Sequence, residues 1–527
     1  MPHLAGDMPP ELEAEIIALL EGDVLAGPVR RIDTHGARVF VGQRETLKIK
    51  RPVAYSYMDF STAEKRRRAC LREVEINRGN APELYLGVDR ITREPDGTLA
   101  INGRGSPVEH AVRLRTFNPE DGFDRIVARE ALDGRLAVAL GDVVAWAHER
   151  APEAEPNRGR TISEMRVRLV GSAQSRRAVF GESAVKTYAA RSAQQLARVE
   201  FLLAQRRQAG AVKRCHGDLH LGNIVLWRGA PTLFDAIEFD EDLATIDPMY
   251  DLAFLLMDLV HRGQRAAGTL VLNRYLWRLG DAAVGDRTWE MLAALPLLIA
   301  LRASVRAVVG IDRATDLTGV AKEEAEAEAR AYLATANAAL TPKRARLVAV
   351  GGLSGTGKST LAGALAPELG AMPGSIHLRS DMERKRLAGV EPETRLGPTG
   401  YVPEMTTRTY ATLHEKARIA LRAGHSVIVD AVFSTTEERA DIAALAAAVG
   451  VPFVGLWLEA PLEVKRVRVA ARKGDASDAT VDVVDRQIER GVGAMNWHVV
   501  DASGEVAATR AQALEMVAAS DGPTNKT

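Results

Sequence analysis

The sequence predicts two domains, an α+β domain with two lobes followed by an α/β domain built on a parallel sheet. In the first, short strand-like segments surround one charged helix between residues 37 and 117, and the pattern is mostly helical after about residue 120. In the second, strand-like and helical segments alternate from residue 346 to about 517, as a parallel sheet requires. We place the boundary at a Thr-Pro break, which gives domains of 1–340 and 341–527 that we expect to fold separately.

Composition and charge argue against nucleic-acid-binding and membrane-spanning classes of protein. The chain has 527 residues, 46% of them apolar, and 69 basic residues balance 69 acidic ones. Residues from Arg346 onward carry 21 basic and 22 acidic side chains, so neither part offers the basic field that attracts nucleic acid. The longest uncharged apolar run, 442–458, contains glycine and proline and is too short to span a membrane. We therefore expect small-molecule partners and leave the oligomeric state open.

The two cysteines, Cys70 and Cys215, form neither a metal-binding spacing nor a disulfide framework. A reducing cytoplasm is the natural setting for such a chain.

The first lobe is predicted from the segments A-R-V-F-V and T-L-K-I-K, which are strands joined by a turn within 37–50. Ser61 and Glu64 form a capping-box pattern that opens a charged helix ending near Arg78. Further strands are predicted around 84–92, 98–103 and 110–117. Helices are then predicted at 126–149, 190–209, 249–262, 267–278, 288–310 and 321–340.

The helical part is interrupted by H-G-D-L-H-L-G-N at 216–223, which resembles the catalytic loop of the protein-kinase fold. Together with F-D-A-I-E-F at 234–239 and D-P-M-Y-D-L-A at 247–253, it resembles the aminoglycoside phosphotransferase family. The resemblance implies that Asp218 is the catalytic base and that Asn223 and Asp235 bind Mg²⁺. A degenerate, inactive copy of this loop is the alternative.

The same fold needs a strand lysine on the ATP phosphates and a helix glutamate that holds it. Lys48 and Lys50 share one face of a strand, and Glu73 and Glu75 lie on the following helix. We favour Lys48 and Glu73, and both choices stay open at this point.

The second domain begins with the strand R-L-V-A-V-G, followed at once by G-L-S-G-T-G-K-S and a helix. This is the P-loop pattern, in which backbone amides surround phosphates, Lys358 reaches the β- and γ-phosphates, and Ser359 ligates Mg²⁺. The residues expected to bind nucleotide here are Gly352, Ser354, Gly355, Thr356, Gly357, Lys358, Ser359 and Thr360.

The rest of this domain resembles the small P-loop kinases of the gluconate kinase, chloramphenicol phosphotransferase and zeta-toxin type. The resemblance implies that Asp381, in H-L-R-S-D-M-E-R at 377–384, contacts the acceptor hydroxyl as a base. Asp430 ends the strand S-V-I-V-D and would position Mg²⁺. Arg468 and Arg472 lie four residues apart on one helix face and suit a lid that closes on the transferred phosphate.

The sequence therefore predicts a bifunctional phosphotransferase that uses ATP and Mg²⁺ at one site in each domain. Two alternatives remain. Only the P-loop kinase is active and the first domain senses a ligand, or the protein phosphorylates the 5′ ends of nucleic acids.

Overall fold

The computed structural model describes most of the chain in two compact units. The first unit comprises the described residues up to Thr161 together with Gly210–Leu255, and the second comprises Ile162–Ala209 and the described residues from Leu256 onward. No described helix has the length and apolar character needed to cross a membrane. The described residues are 7–55, 58–155, 158–280, 287–315, 317–471 and 476–520.

The first unit is built on a six-stranded antiparallel sheet with the strand order β1-β2-β3-β8-β6-β7. Helix α1 (Pro10–Glu21) packs Ile16 and Leu20 against Phe40 and Leu47, which are fully buried. This apolar layer holds α1 against the sheet and forms the core of the β-rich lobe that the strand pattern predicted. The strands, with one short extra pair, are β1 (Arg30–Asp33), β2 (Ala37–Val41), β3 (Glu45–Lys50), β4 (Ala54–Tyr55), β5 (Met58–Asp59), β6 (Tyr85–Arg93), β7 (Leu99–Ile101) and β8 (Ser106–Arg115).

The charged helix of this lobe, α2 (Ala63–Asn77), begins one residue later than its capping pattern predicted. Its N-cap is Thr62, whose side chain accepts a hydrogen bond from Lys65 N at 3.3 Å. The hydroxyl of Ser61 instead donates to Asp59 Oδ1 at 2.6 Å. The predicted Ser61 cap is therefore wrong, because a neighbouring carboxylate engages that hydroxyl.

The remainder of the first unit carries the 216–223 loop between short strands. The helix predicted over 126–149 is two helices, because Asp133 caps a new start by accepting a hydrogen bond from Arg135 N at 3.3 Å. The elements are α3 (Phe123–Arg129), α4 (Gly134–Arg150), β9 (Lys213–Arg214), β10 (Ile224–Trp227), β11 (Ala230–Leu233), α8 (Glu241–Ala244), β12 (Thr245–Ile246) and α9 (Pro248–His261), whose residues from Leu256 onward belong to the second unit.

The second unit begins with helices, one of which, Ile162–Ser175, has no counterpart in the sequence prediction. The helix predicted over 190–209 starts eight residues earlier, at Glu182. These helices are α5 (Ile162–Ser175), α6 (Arg177–Phe180), α7 (Glu182–Gln208), α10 (Arg265–Leu279), α11 (Leu295–Ala314) and α12 (Gly319–Ala339).

The second unit also contains a five-stranded sheet with the order β14-β15-β13-β16-β17, in which every pairing is parallel. Its central strand is entirely buried, as expected for a parallel sheet covered on both faces. The α/β prediction is confirmed. The elements are β13 (Leu347–Gly351), α13 (Lys358–Leu365), β14 (Ile376–Arg379), α14 (Ser380–Leu387), α15 (Pro403–Arg422), β15 (Val427–Asp430), α16 (Thr436–Val449), β16 (Phe453–Glu459), α17 (Leu462–Ala470), α18 (Val481–Arg490), β17 (His498–Asp501) and α19 (Val506–Ala519).

The compact units do not divide the chain where the predicted domains do. The second unit joins the helices of 162–209 and 256–340 to the parallel sheet. Within it, the ring of His425 lies 2.9 Å from the carbonyl oxygen of Leu292, and Arg265 Nε donates to the carbonyl oxygen of Pro373 at 2.7 Å. Independent folding of 1–340 and 341–527 therefore stays a prediction.

Candidate active sites

The 216–223 loop of the first unit is held by a buried carboxylate. Asp251, on α9, accepts hydrogen bonds from the backbone N–H groups of His216 and Gly217, each at 3.0 Å. Gly217 has φ +84°, and a Cβ there would lie 3.2 Å from the backbone of Ala244. Glycine therefore allows the tight turn that exposes the next residue, Asp218.

The ring of His216 fixes the other side of this loop. Its Nε2 lies 2.8 Å from the carbonyl oxygen of Phe234, which can only accept, so Nε2 carries the proton. Its Nδ1 then accepts from Asp218 N at 3.3 Å. Burial lowers the pKa of His216, which keeps the ring in this neutral form.

The structure brings Asp218 and Asn223 together. Asn223 Nδ2 donates to the carbonyl oxygen of Asp218 at 2.9 Å and to its Oδ2 at 3.0 Å. The side chain of Asp218 is 39% exposed, so the carboxylate is accessible from solvent. His220, not singled out from the sequence although it lies inside the motif, has its Nε2 3.4 Å from Asp218 Oδ2.

Asp235 lies at the turn after β11 with φ +59°, a left-handed conformation that non-glycine residues rarely adopt. Its backbone N–H donates to the hydroxyl of Tyr85 at 3.1 Å, and its Oδ1 accepts from Lys48 Nζ at 2.6 Å. The turn thus places a partly exposed carboxylate beside a lysine of the sheet.

Both strand lysines contact the same helix glutamate. Glu73 is fully buried and accepts from Lys48 at 2.9 Å and from Lys50 at 2.5 Å. Glu75 is exposed and pairs with Arg72, so Glu73 is the glutamate that faces the site. Burial lowers the pKa of Lys48, but the carboxylates of Asp235 and Glu73 outweigh burial and raise it well above its ordinary value.

Glu238, which no sequence pattern indicated, ion-pairs with Lys50. Lys50 and Glu238 are both buried, whereas Lys48 is 14% exposed and adjoins Asp235. Lys48 therefore lies on the open side of the lysine pair, and Lys50 lies behind it. The F-D-A-I-E-F segment contains Glu238, but nothing local to it indicates a partner on β3.

The P-loop of the second unit joins β13 to α13. Gly352, Gly355 and Gly357 have φ values of +142°, +86° and +89°. A Cβ on Gly355 would lie 2.6 Å from the carbonyl oxygen of Lys465, so the loop passes too close to α17 for any larger residue. Lys358 Nζ donates to the carbonyl oxygen of Leu353 at 3.1 Å, which folds this side chain back over the loop.

Ser359 and Asp430 meet beneath this loop, because β13 and β15 are parallel neighbours. Ser359 Oγ donates to Asp430 Oδ2 at 2.5 Å. The Nε2 atom of His377 and the Nε atom of Arg379 lie 3.6 and 3.7 Å from the same oxygen. Burial would raise the pKa of Asp430, but His377 and the nearby cations outweigh it and lower that pKa.

Asp381 lies in the first turn of α14 and lines the same cavity as the P-loop, which has a volume of about 1130 Å³. Burial, followed by the charge of Asp430, raises the pKa of Asp381. Arg384 also lines the cavity and is held by the carbonyl oxygen of Gly400 at 2.9 Å. Its guanidinium lies 5.0 Å from the ring centroid of Tyr401.

Of the two predicted lid arginines, Arg468 lines the cavity and donates to the carbonyl oxygen of Ala502 at 2.7 Å. Arg472 lies outside the described residues. The predicted nucleotide-binding residues that line the cavity are Ser354, Gly355, Thr356, Gly357, Lys358, Ser359 and Thr360, whereas Gly352 is not among its lining residues.

Several other residues of this cavity were not predicted from the sequence. Asp478 accepts from Lys385 Nζ and Tyr401 Oη, each at 2.7 Å, and so ties the segment after α17 to the segment before α15. Arg486 and Arg490 line the cavity from α18. They are four residues apart, the same spacing that predicted Arg468 and Arg472 as lid residues.

Comparison with known proteins gives two family matches. Residues 29–295 match the phosphotransferase enzyme family, and residues 347–492 match an AAA domain family. These matches confirm the resemblance predicted for each part of the chain.

Individual relatives cover different parts of the chain. An uncharacterized protein of Mycobacterium tuberculosis is 31% identical over 482 residues, which is 90% of this chain and 92% of that protein. An adenylyl-sulfate kinase of Myxococcus xanthus is 35% identical over 114 residues, 21% of this chain and 57% of that enzyme. The GDP complex of an aminoglycoside 2′-phosphotransferase-IIIa is 14% identical with a TM-score of 0.35, and covers 61% of this chain and 98% of its own.

Proposed function

Because this chain belongs to the phosphotransferase enzyme family and carries a second, P-loop kinase domain, we propose that it is a bifunctional kinase. Each domain transfers the γ-phosphoryl group of ATP to a hydroxyl group of a small molecule. For the second domain the proposal rests on one observation. A single cavity of the second unit is lined both by the phosphate-binding loop and by Asp381, a carboxylate suited to accept the hydroxyl proton.

In the second unit, Lys358 and the loop amides hold the phosphates while Asp381 faces the acceptor. The acceptor oxygen forms its bond to Pγ as the bond between Pγ and the bridging oxygen breaks, and that electron pair leaves with ADP. The hydroxyl proton goes to the carboxylate of Asp381. The raised pKa of Asp381 makes it a stronger base in its ionised form.

In the first unit, Lys48 meets the phosphates and Asp218 accepts the proton of its own acceptor. The neutral ring of His216 and the side chain of Asn223 keep the Asp218 carboxylate at the mouth of the loop. The same bonds form and break as in the second unit. Glu73 and Glu238 fix the two lysines and stay out of contact with the acceptor.

Both sites offer oxygen ligands of the kind that Mg²⁺ prefers. Ser359 and Asp430 would hold it in the second unit, and Asn223 and Asp235 in the first. When bound, the ion neutralises charge on the phosphates.

The second site favours an acceptor that carries an anionic group near its hydroxyl. Arg384 lies one turn after Asp381 and lines the same cavity. A guanidinium binds carboxylate or phosphate groups in a fixed geometry. Sugar acids and nucleotides bearing a free hydroxyl are the classes to test first, adenylyl sulfate among them.

The test is a screen of ATP consumption with full-length protein against sugars, sugar acids, nucleosides, aminoglycosides, adenylyl sulfate and 5′-hydroxyl oligonucleotides. The variants Asp218→Asn and Lys358→Ala each disable one site. We expect two acceptors, one lost in each variant. An acceptor lost only in Lys358→Ala, with none lost in Asp218→Asn, would favour a sensing role for the first domain. Phosphorylation of oligonucleotides alone would overturn the small-molecule assignment.

A further inference from the structure

Strand β14 lies at the edge of the parallel sheet and leads directly into α14, which carries Asp381. An edge strand has hydrogen-bonding groups on one side that no neighbouring strand can satisfy. If the position of β14 were not fixed at this edge, Asp381 would move relative to the P-loop. What covers the outer side of this strand therefore bears on the proposed reaction.

The side chain of Asn273, on α10, takes the place of a neighbouring strand. Its Oδ1 accepts from His377 N at 2.7 Å, and its Nδ2 donates to the carbonyl oxygen of Ser375 at 3.1 Å. A carboxamide has one acceptor and one donor group, as a peptide unit has, so it can continue the ladder by one step. Nδ2 also donates to the carbonyl oxygen of Thr269 at 2.9 Å, which fixes its direction.

Trp277 makes the corresponding contact one turn further along α10. Its Nε1 donates to the carbonyl oxygen of Met382 at 3.1 Å, and Met382 follows Asp381 directly. Residues four apart lie on the same helix face, so Asn273 and Trp277 contact the strand and the following helix from one side. At the other end of α10, Arg265 Nε donates to the carbonyl oxygen of Pro373 at 2.7 Å.

Helix α10 lies within the residues that match the phosphotransferase enzyme family, whereas β14 and α14 lie within those that match the AAA domain family. We propose that Asn273 and Trp277 are positioning residues for the P-loop kinase and hold Asp381 at its place beside the phosphate-binding loop. The proposal rests on the proposed role of Asp381 as the base. Under this proposal α10, which lies within the phosphotransferase match, supports the active site of the P-loop kinase.

The experiment is hydrogen exchange of the full-length protein, measured by mass spectrometry, in the wild type, Asn273→Leu and Trp277→Phe. Asn273→Leu removes the bonds to Ser375 and His377, and Trp277→Phe removes only the bond to Met382. We expect peptides within 375–387 to exchange roughly tenfold faster in Asn273→Leu, with β15 and β16 unchanged. Asn273→Asp keeps the acceptor for His377 N but loses the donor to Ser375, so its exchange should be intermediate.

Asn337→Leu is the matched control, because Asn337 Nδ2 donates to the carbonyl oxygen of Ala184 at 3.1 Å, on a helix of the same unit. It should leave exchange within 375–387 at the wild-type rate. A loss of protection throughout the sheet in Asn273→Leu but not in Asn337→Leu would indicate a merely structural role and would overturn the proposal.

Turnover gives the second readout, with the acceptor from the screen and with water as acceptor. We expect kcat of the second site to fall about tenfold or more in Asn273→Leu, while the ATP affinity of the P-loop changes less than about twofold. Unchanged exchange within 375–387, or unchanged kcat with faster exchange, would overturn the proposal. If the screen returns no acceptor, the proposed function fails separately, because the exchange result does not depend on turnover.

Discussion

The ammonium group of Lys48 lies 2.6 Å from the carboxylate of Asp235, although 187 positions separate the two residues. The lysine proposed to bind phosphate and a candidate metal ligand thus contact each other directly. Glu73 accepts a hydrogen bond from the same ammonium group at 2.9 Å. We expect the two lysines of β3 to differ in role, with Lys48 acting in ATP binding and Lys50 in stability.

Replacing Lys48 by Met should weaken ATP binding and lower kcat/KM at the first site by about 10²-fold or more, because a charge on the phosphates is lost. Lys50→Met should act mainly on stability, since it leaves Glu73 and Glu238 buried without one of their partners. Isothermal titration with Mg-ATP and urea unfolding, run on both variants, separate these effects. Equal loss of ATP affinity in the two variants would contradict the assignment.

Asp218→Asn should lower turnover at the first site by about 10²–10⁴-fold while ATP binding is largely retained, since only the proton acceptor is removed. Steady-state kinetics with the first-site acceptor measure this change. Asp242→Asn, at an exposed aspartate of the same unit, is the control and should keep wild-type turnover. Wild-type turnover in Asp218→Asn would reject Asp218 as the base.

Lys358→Ala should abolish one of two nucleotide-binding events, because Lys358 provides the charge that meets the β- and γ-phosphates. Titration of the full-length protein with Mg-ATP should give a stoichiometry of one instead of two. Lys322→Ala removes an exposed lysine of α12 and should leave the stoichiometry at two. Two binding events in Lys358→Ala would remove the basis for the P-loop site.

Acid should destabilise the second unit through His425. Burial lowers the pKa of this ring to about 4, against which the bond to Leu292 acts only weakly. The unfolded chain therefore binds a proton that the folded chain does not between about pH 6.5 and 4, and the free energy of unfolding falls as pH falls through this window. One such group contributes at most about 1.4 kcal/mol per pH unit.

Urea unfolding of wild type and His425→Gln at several pH values between 7 and 4 tests this. We expect a shallower pH dependence in His425→Gln, and no change of slope in His498→Gln, which alters an exposed histidine. Parallel curves for wild type and His425→Gln would contradict the prediction.

The sequence predicted those parts of the sites that are local in the chain. The P-loop and the 216–223 loop each combine glycines, a cation or carboxylate, and a fixed spacing within about eight residues, and local spacing determines their geometry. Spacing alone left the choice between Glu73 and Glu75 open, because both lie on the same helix two residues apart. In the structure Glu73 contacts Lys48, and Glu75 contacts Arg72.

Contacts distant in the chain could not be predicted in this way. Glu238 pairs with Lys50 across 188 positions, and Asn273 bonds with His377 across 104. Neither pair leaves a periodicity, because their partners are chosen by how the elements pack. The cap of α2 was missed for a different, local reason, since Asp59, two residues before Ser61, accepts the hydrogen bond of its hydroxyl.

The helices that share a compact unit with the parallel sheet have a consequence for how this protein can be altered. The family match places α10 in the phosphotransferase part of the chain, whereas its hydrogen bonds connect it to the P-loop kinase part. A chimaera that exchanges only residues 343–527 for a free-standing P-loop kinase would leave the donors and acceptors of α10 facing a foreign strand. A graft that carries residues 265–279 with the P-loop kinase would keep these hydrogen bonds, whereas a seam at Thr341 divides the second compact unit.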